Sequence, residues 1–219
     1  MDSPAGRKRW TFGVAPLPES IALAEKMRSV AGLVLSLDAA HPAMERLLAA
    51  LDEAEAALGT VAPSDPTPRL GPDAPPERRV YIDHARDVGD FNPCFPTYGI
   101  HVDGDHHASG TVRFPLVYEG PPGLVHGGYL ALLFDAVVQH HNCDVGLAGK
   151  TTSLTIRYRR PTPLLVELAF EIERSVADGR ILSTARLARD GVVLCEAEVS
   201  AVAGVRTALP EASPRRRGA

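Results

Sequence analysis

The sequence predicts an α+β protein in which an antiparallel sheet wraps around one central helix, preceded by an N-terminal helical hairpin. Three observations carry that expectation. From Tyr129 to Val138 every residue except Asp135 is apolar, the mark of a helix enclosed by the rest of the protein. Downstream, alternating segments are separated by Asp178-Gly179 and Asp190-Gly191, dipeptides that favour the twist of tight hairpins. Upstream, apolar residues recur at three- and four-residue steps between Pro18 and Leu58.

The elements follow in order. Residues 1–60 read as a loose leader and then the helical hairpin. Ile21, Ala24, Met27, Val30, Val34 and Leu37 mark the first helix. His41-Pro42 ends it, because the residue before proline avoids the helical region. Met44, Leu47, Leu48, Leu51, Ala54 and Leu58 then share one face of a second helix from Ala43 to Leu58. Residues 61–77 hold six prolines and read as a linker or an extended wrap. A strand is expected from Thr111 to Tyr118, after an Asp103-Gly104 turn. The apolar helix should run from about His126 to Asn142. Strands should follow at Thr151–Arg160, Leu165–Arg174, Arg180–Arg189 and Val192–Ala203. In the first of these, Leu154, Ile156 and Tyr158 face one way and Ser153, Thr155, Arg157 and Arg159 the other. Residues 208–219 read as a disordered tail.

Bulk properties narrow the function. With 219 residues and 45% hydrophobic content, the chain can bury a substantial core. A net charge of −4 argues against nucleic-acid binding. No apolar run approaches the roughly 20 residues that span a bilayer, so no membrane partner is expected. The basic N-terminus lacks the apolar stretch of a signal peptide. Cys94, Cys143 and Cys195 are sparse and odd in number, which fits free thiols in a reducing cytoplasm.

Asp135 poses the chemical question, since a carboxylate within apolar surroundings is costly unless something compensates it. Just before the helix lie Gly120, Gly123, Gly127 and Gly128. Their spacing matches neither a Walker loop nor a dinucleotide fingerprint. Two readings stand. The glycines either shape a tight turn, or let a ligand approach helix-start amides that would polarise a thioester carbonyl and hold its tetrahedral intermediate.

The segment FPLVYEGPPGLVHGGYLALLFDA, followed by TTSLTIRYRRPTPL and DGVVLCEAEV, closely resembles the hotdog-fold acyl-CoA thioesterases, in particular their phenylacetate-degradation-type (PaaI-like) branch. The likeness covers roughly residues 90–203, and it implies a hotdog domain over 78–207 with the N-terminal hairpin outside the family core. It implies hydrolysis of an acyl-CoA by a dimer or dimer of dimers. Coenzyme A enters only as part of the substrate, with no metal or organic cofactor. By the same resemblance Gly127 gives its amide to the thioester carbonyl, and Asp135 is the general base or a nucleophile forming a mixed anhydride. Thr151 positions water beside Asp135, and His126 supports the helix start rather than acting as base. Gly123, Gly128, Tyr129, Ser153, Arg159 and Arg160 are the further candidates for substrate contact. Asp135 lies eight residues beyond Gly127, roughly 12 Å along the axis at ~1.5 Å per residue. One helix therefore cannot bring both groups to one carbonyl, and the resemblance implies that two chains share each site. The chain departs from relatives in having Gly120 where related branches place Asn or Gln, and Tyr129 where many have a small residue.

Other signals read as structural. Gly89-Asp90-Phe91-Asn92-Pro93 is similar to the signature of hotdog enoyl-CoA hydratases, but Phe95 stands where their catalytic His would be, leaving acid–base chemistry without half its pair. The segment then serves as a turn pinning the chain to the core. His101, Asp103, Asp105, His106 and His107 read as a polar turn before a metal site. Gln139-His140-His141-Asn142 reads as a helix C-terminus, where His suits the dipole. The other class of function in play is a hotdog protein that binds acyl-CoA without hydrolysing it.

Overall fold

The computed structural model describes residues 18–61, 88–145 and 149–203. The expected leader, proline-rich linker and C-terminal tail lie outside the described residues. The described elements are α1 (Pro18–Leu35), α2 (Pro42–Val61), the single turn α3 (Val88–Phe91), β1 (Tyr98–Asp103), β2 (His107–Arg113), α4 (Gly127–Asp144), β3 (Gly149–Tyr158), β4 (Glu167–Ala177), β5 (Arg180–Arg189) and β6 (Val192–Ala203).

The strands form one antiparallel sheet in the order β1-β2-β4-β5-β6-β3. It curls around α4, whose Leu130, Leu133, Phe134, Val137 and Val138 are buried against Val112, Phe170, Leu187, Ala197 and their neighbours. This is the antiparallel sheet around a central helix that the sequence predicts, and β5 and β6 fall where the Asp-Gly dipeptides put them. Asp178, Gly179, Asp190 and Gly191 all have positive φ, as the tight hairpin turn requires. Buried and exposed residues alternate in β4 as far as Arg174 and in β5 as far as Leu187. Their inner faces therefore line the core and their outer faces meet solvent.

Two expectations are corrected. The strand expected at Thr111–Tyr118 ends at Arg113. Pro115 lacks an amide to continue the ladder, and Leu116–Tyr118 instead makes a 3-10 turn, with the Tyr118 and Glu119 amides bonded to the Pro115 and Leu116 carbonyls. That strand also begins earlier, pairing with β1 across the turn at 104–106. The second correction concerns the helical hairpin. Both helices form, but the first already ends at Leu35 and Pro42 opens the second, while α2 buries none of its residues and Leu48, Leu51 and Leu58 stay exposed.

Helix α1 docks through Ala24 of the expected stripe and through Arg28, which apolar periodicity did not indicate. Its buried residues are Ala24 and Arg28, while Ile21, Met27 and Leu37 of the expected stripe are exposed. The Arg28 guanidinium donates to the carbonyls of Gly89 (2.9 Å), Asn92 (3.2 Å) and Phe95 (3.3 Å). The Gly89–Pro93 segment is thus a turn pinned to the body of the protein, with Asn92 Oδ1 accepting from the Cys94 amide. Arg28→Leu should lower stability by about 2–4 kcal/mol, since it strands buried carbonyls that each cost about 1–3 kcal/mol when unpaired. Chemical denaturation of the full chain checks this. An unchanged midpoint would mean that α1 is held by other contacts.

His141 is fully buried, with Nε2 3.2 Å from the Gly104 carbonyl. Desolvation by burial holds its pKa below the ordinary histidine value. The folded state therefore keeps the ring neutral while the unfolded chain takes up a proton near pH ~6.5, so stability is full above that pH and falls as the pH drops. Urea midpoints at pH 7.5 and 5.5 should differ more in the wild type than in His141→Gln. Equal differences would show that His141 is not the linked group.

Candidate active site

The site grows from the start and middle of α4. His126 caps the helix with extended backbone, and its Nδ1 accepts from the Gly128 amide at 3.0 Å. Its proton, when the ring is neutral, is therefore on Nε2. This bond also occupies the Gly128 amide. The Gly127 amide has no acceptor among the described residues, as the first amide of a helix should not. The Gly127 carbonyl in turn accepts from the Tyr158 hydroxyl at 3.0 Å. A Cβ on Gly127 would lie 2.9 Å from that oxygen. Residue 127 is thus held from one side and open on the other.

The loop before the helix is equally constrained. Gly123 has φ +77 and donates its amide to Glu119 Oε1 at 2.7 Å. A side chain on Gly120 would meet the His126 backbone at 2.8 Å, so the packing of His126 accounts for glycine where relatives carry an amide side chain. Tyr129 is half-buried, edge-on to Tyr118 with centroids 4.8 Å apart, and His126 lies edge-on to it in turn. Tyr118 is fully buried, and burial raises its pKa far above the ordinary phenol range although Arg28 beside it pulls the other way. Its hydroxyl thus stays neutral.

Two turns further along α4, Asp135 is neither fully buried nor alone. It lies on the half-buried stripe of the helix with Ala131, Leu132 and Ala136. The Thr151 hydroxyl donates to its Oδ1 at 2.6 Å. Thr151 reaches it because β3 is irregular there. The register with β6 shifts between Thr151 and Ser153, so Thr152 and Ser153 both face outward while Thr151 and Leu154 face α4. By strict alternation Thr151 would have shared the outer face with Ser153. The bulge re-aims it. Ser153 itself points to solvent, away from Asp135.

Sequence reasoning missed two residues here. Gln139, read as part of a helix C-terminus, donates through Nε2 to Thr151 Oγ1 at 2.7 Å. It lies one turn beyond Asp135 on the same helix face, and that spacing was the available signal. Tyr158, read only as sharing a face with Leu154 and Ile156, is 57% exposed with its hydroxyl on Gly127. Gln139–Asn142 do lie in the last turns of the helix, which ends at Asp144, with His140, His141 and Asn142 buried.

Arg159 and Arg160 lie just beyond Tyr158, at the Gly127 end of the helix. They line an open cleft of about 630 Å³ with Gly191, Val192, Val193 and Glu196. Arg159 is committed to Glu196 at 2.6 Å, whereas Arg160 has no ion-pair partner among the described residues. The polar turn at 101–107 gives its backbone to other groups: the Asp105 and His106 carbonyls accept from Arg174. Among the described residues no cluster of His, Cys, Asp or Glu is placed to hold a metal.

No protein-family model matches the chain. A crystal structure of a thioesterase superfamily protein aligns with TM-score 0.70 and 29% identity over 86% of this chain and 98% of that one. Residues 90–203 make up only about half of the sequence, so this match extends into the N-terminal residues that the sequence likeness left out. A hypothetical thioesterase with coenzyme A from Streptococcus pneumoniae TIGR4 is 25% identical over 50% of this chain and 91% of that one, with TM-score 0.46. A phenylacetic acid degradation-related thioesterase from Ralstonia eutropha JMP134 is 18% identical over 49% and 83%, with TM-score 0.43. In its sheet, its central helix and the match at TM-score 0.70, the chain is a hotdog-fold relative of the thioesterase superfamily.

Proposed function

We propose that this protein hydrolyses an acyl-CoA thioester to a free carboxylic acid and coenzyme A, at sites shared between two chains and without metal or organic cofactor. One observation carries the reading. A free helix-start amide at Gly127 and a hydroxyl-bonded carboxylate at Asp135 occupy opposite ends of one helical stretch, too far apart to serve one carbonyl. The half-buried stripe around Asp135 supports a partner helix alongside α4, which would bring the partner copy's amide to this carboxylate. The superfamily match supports thioester hydrolysis as the reaction class.

In this mechanism the thioester oxygen accepts from the Gly127 amide, which stabilises the oxyanion as it forms. Asp135 Oδ2, left open by Thr151, removes a proton from the attacking water. Collapse of the tetrahedral intermediate breaks the carbon–sulfur bond and expels coenzyme A as thiolate, which then takes a proton. In the alternative course Oδ2 attacks the carbonyl itself and the carbon–sulfur bond breaks to expel coenzyme A as thiolate, after which water cleaves the resulting anhydride to the free acid and restores the Asp135 carboxylate. Arg160, unpaired beside the cleft, is better placed than Arg159 to meet the phosphates of coenzyme A. Tyr129 forms part of the wall that limits the acyl group.

Release of free thiol from a panel of aromatic, short-chain and long-chain acyl-CoAs tests the activity, and binding without turnover would instead favour an acyl-CoA-binding protein. Asp135→Asn should fold normally and lose roughly 10²–10⁴-fold in rate. A lower melting temperature with unchanged kcat would make the carboxylate structural. Thr151→Ala should cost less, because water can partly replace a hydroxyl.

The shared site has its own test. Gly127→Pro removes the amide at the first helical position, where proline is accepted. His126 already has the extended backbone that precedes proline. Gly127→Pro and Asp135→Asn should each be inactive. Refolded together in equal amounts, they should recover roughly a quarter of wild-type activity, since about half the dimers are mixed and each holds one intact site. A mixture as inactive as its parents, with both variants folded and exchanging chains, would rule out a site built across two chains.

A further inference from the structure

We infer that Gln139 is a positioning residue that commits the Thr151 hydroxyl to Asp135, through a one-directional hydrogen-bond chain that begins at the buried guanidinium of Arg174. The chain has four links. Arg174 Nε donates to Asn142 Oδ1 at 2.7 Å, and Asn142 Nδ2 donates to Gln139 Oε1 at 3.4 Å. Gln139 Nε2 donates to Thr151 Oγ1 at 2.7 Å, and Thr151 Oγ1 donates to Asp135 Oδ1 at 2.6 Å.

The chemistry of the ends fixes the direction of every link. A guanidinium can only donate, so Asn142 must turn its oxygen toward Arg174 and its nitrogen toward Gln139. Gln139 must then present oxygen to Asn142 and nitrogen to Thr151. With a donor already pointing at its oxygen, Thr151 has its single proton left for Asp135, and an ionised carboxylate can only accept. Reversing Asn142 would set like groups against each other at both of its contacts, and reversing Gln139 would set nitrogen against nitrogen at Asn142 and draw the Thr151 proton away from Asp135. Bonds aligned this way polarise one another.

Both ends are anchored. Arg174 is 5% exposed. Its Nη1 donates to the Asp105 carbonyl at 3.0 Å, and its amide to the His106 carbonyl at 2.8 Å. Asp135, Gln139 and Asn142 lie on one face of α4 at four- and three-residue steps. Without Gln139 the Thr151 hydroxyl would be free to turn to other acceptors. With it, Oδ1 of Asp135 is occupied and Oδ2 alone meets water or substrate.

The consequence for turnover rests on the proposed role of Asp135, whereas the orientation of Thr151 can be read independently of it. Gln139→Met removes the donor with little change in volume, and should lower kcat roughly tenfold with KM unchanged, the loss of about one aligned hydrogen bond. Gln139→Glu, isosteric but acceptor-only when ionised, should lower kcat at least as far because it draws the Thr151 proton away from Asp135. In a Thr151→Val background, Gln139→Met should have no further effect, since its route to Asp135 is already cut. Three-bond couplings in methyl-labelled threonine should report one Thr151 rotamer in the wild type and averaging in Gln139→Met. Suppose Asp135→Asn is inactive, but Gln139→Met leaves kcat and the rotamer unchanged, or its effect adds fully to that of Thr151→Val. The inference is then overturned while the active-site reading stands. If Asp135→Asn remains active but Gln139→Met frees the Thr151 rotamer, the reading of Asp135 fails and the positioning role of Gln139 is upheld.

Discussion

The hydrogen bond from Thr151 to Asp135 is the interaction on which the middle of this protein depends. A carboxylate within the Leu, Ala, Val and Phe run from Leu130 to Val138 is a standing cost unless a donor meets it. The donor comes from outside α4, because Gln139, one turn away on the same helix face, gives its amide to Thr151 instead. It comes from β3, which lies against α4 and pairs with β6 on its other side. The hydroxyl reaches inward only because the strand breaks its own alternation. Sheet, helix and carboxylate therefore specify one another: the register of β3 against β6 decides whether Asp135 has a partner.

Much of the fold was legible because its signals are local. Asp-Gly dipeptides fix φ at their own positions, and the strands of β5 and β6 follow from them with no knowledge of partners. The apolar run of α4 needed only its length and composition. What stayed hidden depends on distant residues. Arg28 looks like an ordinary solvated charge in its helix, and becomes an anchor only because three carbonyls some sixty residues away converge on it. Apolar periodicity found Ala24, which is buried, but gave no sign of Arg28, and its Ile21 and Met27 are in fact exposed.

The candidate site divides in the same way. Gly127, His126 and Asp135 could be singled out because glycine clusters and an isolated carboxylate stand out against their surroundings. The inward turn of Thr151 could not be read from β3 alone, since its alternation predicts the outer face and the bulge is a property of the pairing with β6. Gln139 was hidden by position: a polar residue near a helix end has an ordinary explanation in capping, and only the location of Thr151 supplies another. The same holds for Tyr158, whose hydroxyl serves the helix start although its place in the alternation is that of Leu154 and Ile156.

The bulge at Thr151–Ser153 also acts at the margin of the sheet. β3 is an outermost strand, and a long regular margin is a template on which further chains can add without limit. Here the run of free amides and carbonyls is broken near its start, and Thr152 turns its hydroxyl back onto the Ser200 carbonyl at 3.1 Å. An incoming strand would find continuous pairing only over the stretch from Ser153 onward. One irregularity thus aims a hydroxyl at a carboxylate on the inside and shortens the sticky border on the outside.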